Sequence, residues 1–330
     1  MVKETHYGVI CDVHQDPRIV PLAIEVLKKL GAEKLLINGD IVNKGKTLED
    51  SQNYSAFILD SIGKSGLESF VQPGSHETLL GFEPLMEFFR NKYSNLIDAT
   101  QNPKVEQKDH ALIFLPGSDF LCGGEYQIGN HEQIPSGRYI LTQKGLKKFE
   151  NFDQYLKDVR QGVAQGAIKY SNMNDLRKLV TDPDKSIIVC HVPRKFDNLE
   201  YAVDMAEFGE VLESFNLNGD SIEQGSVFPL SVAQKVVKAG YPVEIKRENR
   251  GSKDLKSLYE ELGINKAVSG HFHESGHRAN DSHGNHVSEG NLVNELFWNS
   301  GHLDSGQTGI LRVKDGKLAY QNICLEEYLR

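Results

Sequence analysis

The sequence predicts an α/β fold, on three observations. Short, almost continuous apolar runs recur along the chain, segments with apolar residues at helical spacing separate several of them, and the runs end in Gly, Asp or His. Apolar strands of this kind suit a sheet buried on both faces, and strands alternating with helices supply the cover. The first run spans 7–13. Residues 19–30 follow at helical spacing and stop at Gly31, a favourable C-terminal position. Run 34–37 precedes a helix at 48–62, with Thr47 placed to cap it, and run 67–71 precedes a helix at 84–93 that opens on Pro84, acceptable in a first turn. Further runs lie at 111–115, 186–190, 266–268 and 296–298, with a helix at 253–262 closed by Gly263. The chain closes as a hairpin, 309–313 and 318–325, around the Asp315-Gly316 turn. Residues 118–182 and 195–252 break the rhythm. They are polar, Gly-rich and mixed, with one amphipathic stretch at 146–159, and read as cap-like insertions on a single scaffold.

Composition narrows the function. The chain has 330 residues and a formal charge of −9, with 39% hydrophobic and 25% charged residues, enough for a substantial core and too apolar for disorder. Net acidity argues against a surface that coats nucleic acid, which needs clustered Lys and Arg. No apolar run approaches the roughly 20 residues that cross a bilayer, and Met1 to His6 has no signal-peptide layout, so a soluble cytoplasmic protein is expected. Cys11, Cys122, Cys190 and Cys324 form no CxxC pair; Cys11 and Cys190 end apolar runs and read as buried, reduced thiols.

Chemistry-bearing residues stand where runs end. Asp12-Val13-His14 ends the first; in extended backbone a carboxylate and an imidazole two apart face one side. Asn38-Gly39-Asp40, with Gly45 five residues on, ends the second, and Pro73-Gly74-Ser75-His76-Glu77 follows the third. His191 ends the run at 186–190, and Gly270-His271-Phe272-His273 supplies another pair two apart. Open α/β sheets bind ligands at their C-terminal strand edges, so these tips belong to one candidate site. Singly, each has an ordinary explanation as a turn or a structural histidine.

Taken in order, Asp-x-His, Gly-Asp-x4-Gly, Pro-Gly-x-His-Glu, a strand-end His and Gly-His-x-His resemble the calcineurin-like metallophosphoesterases, from about residue 7 to the final hairpin without the insertions. The resemblance implies one domain over 1–330, built as two packed mixed β-sheets flanked by helices in a four-layer sandwich. It implies that Asp12, His14 and His273 hold one metal ion, that Asp40 bridges to a second, and that His191 and His271 hold that second ion. His76 matches the family's histidine that contacts the substrate phosphate and can protonate the leaving group. Ser75 is the remaining candidate ligand of the second metal, but it departs: the family has Asn there, whose carbonyl binds that metal, and a serine hydroxyl is a shorter and poorer donor, so water in its place or weaker binding of the second ion is expected.

The implied activity is metal-dependent hydrolysis of a phosphomonoester or phosphodiester by a metal-bridging hydroxide. Imidazole and carboxylate donors suit manganese, iron, zinc, cobalt or nickel; of these, manganese is the expected ion. Two divalent ions with Asp12, Asp40 and a hydroxide leave a positive centre that attracts phosphate on an acidic protein. Ions about 3.5–4 Å apart can activate water and steady the phosphoryl oxygens. Glu77 reads equally as an orienter of His76 or as structure. The expected partner is a small phosphate ester; nucleic acid has weak support, since Arg194-Lys195 and Lys246-Arg247 are the only short basic clusters nearby. A second hypothesis is an inactive binding module of the same fold, motivated by Ser75.

Several stretches are set aside. Gly129-Asn130-His131-Glu132 and Asn218-Gly219-Asp220 with Gly225 mimic the motifs, but neither follows an apolar run. His277, His283 and His286 read as a solvated loop, or less simply as a rim facing substrate. Asn299-Ser300-Gly301-His302 and Pro116-Gly117-Ser118-Asp119 are expected only to lie near the site, and Trp298, Phe88 and Phe89 to be core.

Overall fold

The computed structural model describes residues 3–42, 47–217 and 219–328. Gly45, which closes the Gly-Asp-x4-Gly pattern, and Asn218, which opens the stretch that mimics it, lie outside the described residues. The strands are β1 Thr5–Ile10, β2 Lys34–Asn38, β3 Glu68–Gln72, β4 Leu96–Asp98, β5 Lys104–Glu106, β6 Ala111–Leu115, β7 Tyr126–Gly129, β8 Gly137–Thr142, β9 Gly145–Lys148 and β10 Gly166–Asn172. They continue as β11 Ser186–Cys190, β12 Met205–Val211, β13 Phe215–Leu217, β14 Asp220–Ile222, β15 Val227–Pro229, β16 Val243–Asn249, β17 Lys266–Ser269, β18 Ala279–Asn280, β19 Leu296–Asn299, β20 Gln307–Lys314 and β21 Lys317–Cys324. The helices are α1 Ile19–Lys29, α2 Leu48–Lys64, α3 Leu79–Lys92, α4 Phe152–Arg160, α5 Leu176–Leu179, α6 Leu230–Lys238 and α7 Lys253–Leu262.

Two six-stranded mixed sheets form the centre, ordered β21-β20-β1-β2-β3-β4 and β18-β19-β17-β11-β6-β5. Strands β1 to β4 are parallel, as are β19, β17, β11 and β6. Alternation along each strand assigns its faces. Tyr7, Val9, Leu36 and Phe70 meet Phe114, Val189, Val268 and Trp298 between the sheets. Ile10, Leu35, Ile37 and Val71 point the other way, to α1, α2 and α3, while Ile113, Ile188 and Phe297 face α7. Helix, sheet, sheet and helix thus stack in four layers, as the resemblance implies. Among the described residues no helix is long and apolar enough to cross a membrane. Cys11 and Cys190 are buried and unpaired, as expected.

Local chemistry explains the helix ends. Thr47 and Asp50 cap α2 reciprocally, and α7 runs from Ser252, whose hydroxyl accepts from the Leu255 N–H, to Gly263 at φ 69°. Helix α3 starts five residues before Pro84, because Thr78 caps it at Gly81. Pro84 lacks the N–H that would bond the Leu80 carbonyl; the Gln52 amide donates to that carbonyl instead, at 2.9 Å. The stretch 146–159 is not one helix but β9 followed by α4, with Asn151 capping Gln154. Phe88 is exposed on the outer face of α3 while its neighbour Phe89 is core.

The stretches read as insertions carry sheets of their own. Strands β7-β10-β8-β9 form one, and β15-β12-β16 with α6 and the β13–β14 hairpin form another. Tyr126, Ile140, Phe149 and Ala167 of the first join the core beneath α2 and α3. Val211, Ala233, Val236 and Val243 of the second make a small core apart from it.

Candidate metal centre

Parallel strands in both sheets deliver their C-terminal ends to one edge. Buried amides tie that edge together. Gln72 donates to the Asn38 side chain at 2.6 Å and to the Val189 carbonyl at 3.1 Å, and Asn38 donates to the Cys190 carbonyl at 3.2 Å. An unpaired amide here would forfeit its solvation, so these bonds fix how the sheets meet.

The site residues lie past the strands, not on them. Strand β1 stops at Ile10, and Asp12 has φ 57°; β17 stops at Ser269, and His271 has φ 68°; Asp40 has φ 56°. Side chains rarely adopt this left-handed backbone, and three such residues at one place mark a site held under constraint. The same-face argument from extended backbone therefore fails. Asp12 and His14 converge through a turn, and His271 and His273 join different groups. Close approach needs glycine: a Cβ on Gly39, at φ 86°, would lie 2.7 Å from the Gly74 Cα, and one on Gly270 would lie 2.5 Å from Asp12 Oδ2.

Three donor groups result, each with its ligand atoms within 4.8 Å of one another: Asp12, His14 and His273; Asp40, His191 and His271; and His14, Asp40 and His76. His273 Nε2 is 3.2 Å from Asp12 Oδ1, and His191 Nε2 is 3.0 Å from Asp40 Oδ2. His14 Nε2 stands 4.0 Å from Asp12 Oδ1 and 3.9 Å from Asp40 Oδ2, which joins the groups. His191 Nδ1 contacts the Asn38 carbonyl at 2.8 Å and His14 Nδ1 the Val42 carbonyl at 3.1 Å. Those carbonyls place the ring proton on Nδ1 and leave Nε2 turned inward as a donor.

Ser75 and His76 meet Asp40. The Ser75 N–H and His76 N–H donate to Asp40 Oδ1 at 2.6 and 2.9 Å, and the Ser75 hydroxyl donates to Oδ2 at 2.8 Å. His76 Nε2 lies 3.9 Å from Asp40 Oδ2, its ring half-buried in a cleft. Glu77 does not orient His76: it accepts the Ile41 and Gly74 N–H groups, both at 2.7 Å, and so pins the β2 and β3 loops together. Burial, with the Asp40 charge, pushes Glu77 up to about 8.

Electrostatics divides the cluster. Burial alone would raise Asp12 and Asp40, yet His191 and its neighbours hold both carboxyls well below the usual range. Burial disfavours charge on His191 too, but Asp40 and Asp12 outweigh it and raise the imidazole to about 10. Burial and the His191 charge drive His271 down to about 3. One imidazolium thus neutralises part of a doubly anionic pocket, and a cation entering there would have to displace its proton.

The site extends beyond the residues picked from sequence. His302 stacks on His273, with ring centroids 3.8 Å apart, and Asp304 accepts the His14 N–H at 2.7 Å. The polar turn 299–302 signalled the first; Asp304 had no signal. Asp119 lines the cleft beside His76. His131 is exposed, its N–H donating to Tyr170, and belongs to none of the donor groups among the described residues. His277 contacts the Thr308 carbonyl at 2.9 Å. Asp220 opens β14 and pairs with Leu217 in the β13–β14 hairpin.

Fold and cluster define the class: a four-layer α/β sandwich with histidine and carboxylate donors gathered at its strand ends. A family model described as calcineurin-like phosphoesterase matches residues 5–275, and the chain belongs to that family. It is accordingly a phosphoesterase. Comparison with curated proteins gives no match. Similar solved structures include TT1561 of Thermus thermophilus, at 10% identity and TM-score 0.49, covering 97% of this chain and 99% of that one. A dimetal phosphatase from Danio rerio is similar at 11% identity and TM-score 0.46, with 97% and 99% covered. A purple acid phosphatase from yellow lupin (Lupinus luteus) seeds is similar at 8% identity and TM-score 0.41, with 99% and 52% covered. The family assignment rests on the family match, not on these likenesses.

Proposed function

We propose that the chain hydrolyses a phosphomonoester or phosphodiester of a small molecule with two divalent transition-metal ions, manganese first among those its donors suit. One observation carries this reading: Asp40 stands in two of the three donor groups, and His14 links them to the third. The donors fit such ions chemically, being carboxylate oxygens and imidazole nitrogens whose opposite ring atoms rest on carbonyls. Asp12, His14 and His273 would hold one ion and His191 and His271 the other, with Asp40 shared. Ions seated there supply positive charge for phosphoryl oxygens and lower the pKa of water.

The chain's own groups do the rest. The Ser75 and His76 N–H bonds aim the Asp40 carboxylate, and the Ser75 hydroxyl adds a third bond that a second ion has to compete with. His76 faces the cleft and would pass a proton to a leaving alkoxide. The chain reads as one domain with two insertions, the second walling the cleft. Its four free cysteines accord with a reducing compartment, and we place it in the cytoplasm.

Elemental analysis beside assays on a simple monoester and diester tests the reading. Two metal equivalents per chain and turnover that falls with His76→Ala are expected. A metal-loaded chain that turns over neither ester, with His76→Ala changing nothing, would favour the binding module instead.

A further inference from the structure

The cleft that opens from the centre has a volume of about 550 Å³, with Asp40, Ser75, His76, His271 and His273 at its inner end. That is a small-molecule volume, and a phosphoryl group fixed at the inner end sends its alcohol part outward through the rest. The outer wall is rich in aromatic and aliphatic carbon: Phe120 from the loop after β6, Phe272 between two donor histidines, and Val227, Phe228 and Leu230 from the second insertion. The wall carries charge as well: Glu207 faces Arg247 at 3.5 Å and Glu248 faces Arg250, itself a lining residue, at 3.8 Å, while Asp119, Glu274, Lys195 and Lys253 also line the cleft.

Phe120 is the telling residue. It is 56% exposed and belongs to none of the apolar clusters among the described residues. Its loop is nevertheless tied down. Its N–H donates to the Ser118 hydroxyl at 3.1 Å, that hydroxyl donates to its carbonyl at 2.8 Å, and the Cys122 and Gly124 N–H groups donate to the Ser75 carbonyl at 3.0 and 3.1 Å. The loop that presents Phe120 is therefore bonded to the loop that presents His76. A phenyl ring that folding leaves uncovered, held in register with the candidate acid, is a stacking surface.

We infer that the substrate is the phosphate ester of an alcohol bearing a planar apolar ring, which stacks on Phe120 within the wall completed by Phe228. This rests on the phosphoesterase reading of the centre, and it separates ring-bearing esters from polyol or peptide esters.

Two esters of unactivated primary alcohols, 2-(2-naphthyl)ethyl phosphate and propyl phosphate, test it on the manganese-loaded full chain. Calorimetric binding of 2-naphthylmethylphosphonate and methylphosphonate, which cannot be hydrolysed, accompanies the assays. The ring ester should lead in kcat/KM by about tenfold or more, and Phe120→Ala should cut that ratio about fivefold while Phe120→Trp keeps it. The ring phosphonate should bind tighter, and Phe120→Ala should erase the difference. Hydrolysis of both esters at equal kcat/KM, with equal phosphonate affinities, would overturn the inference and leave the phosphoesterase standing. Tight, Phe120-dependent binding of the ring phosphonate with no hydrolysis of either ester would support the ring site and overturn the catalytic reading.

Discussion

The two halves of the centre are built on different terms. The inner half is set by main chain: Asp40 takes two N–H bonds and a hydroxyl from Ser75 and His76, and fully buried His191 rests on the Asn38 carbonyl. The outer half is set by side chains, with the rings of His14 and His273 partly open to solvent and His273 stacked on His302. Without a cation the inner half carries its own positive charge on His191. On the proposed two-ion reading, an inner ion would bind by exchange for a proton, whereas an outer ion would meet donors that solvent already reaches.

The largest effect should come from the residue common to both halves. Asp40→Ala should lower kcat/KM by about a thousandfold or more and bring metal content below one equivalent, because the substitution strips both groups. Substitutions of single histidine donors come next. His191→Gln should leave one bound ion and cost about a hundredfold, whereas His14→Gln, whose Nε2 lies about equally near both carboxylates, should weaken both ions. Equal losses of both ions in the two variants would erase the distinction between the halves.

pH sharpens the contrast. His191 is raised from 6.5 to about 10 in the metal-free chain, so one proton should leave if an inner ion binds at neutral pH. Inner-ion affinity should rise about tenfold per pH unit up to that value, as calorimetry in buffers of different ionisation enthalpy can follow. The same shift stabilises the metal-free fold fully below the unfolded pKa of 6.5, and that contribution is lost as pH rises through about 10. Metal-free protein should therefore lose more Tm than loaded protein between neutral pH and pH 10. The smallest effect is expected from Ser75→Asn, which should raise inner-ion occupancy by up to about tenfold by supplying a carbonyl donor, leaving the outer ion as it is.

Much of this was legible in the sequence, and what was not has physical causes. Strand cores could be read because burial on both faces demands unbroken apolar runs, and Asp12, Asp40, His191 and His271 because they stand where those runs stop. The path between them could not. Left-handed backbone at Asp12, Asp40 and His271 leaves no mark in composition, so extended geometry was expected where turns occur. Pro84 looked like a helix start because the amide that serves the Leu80 carbonyl in its place belongs to Gln52, 28 residues from Leu80 and on another helix. Asp304 and His14 are brought together across 290 positions, a pairing only the sheet order explains. Polar composition also hid parts of the sheets within the insertions, where β9, β13 and β14 are three or four residues long and little buried.

Anomalous diffraction from crystals grown with manganese would show whether Asp40 stands between two ions. Two peaks are expected, about 3.5–4 Å apart, one on each side of Asp40, with the inner peak against His191 and His271 weakening first as pH is lowered. A lone peak away from Asp40, or none at any pH, would contradict the account.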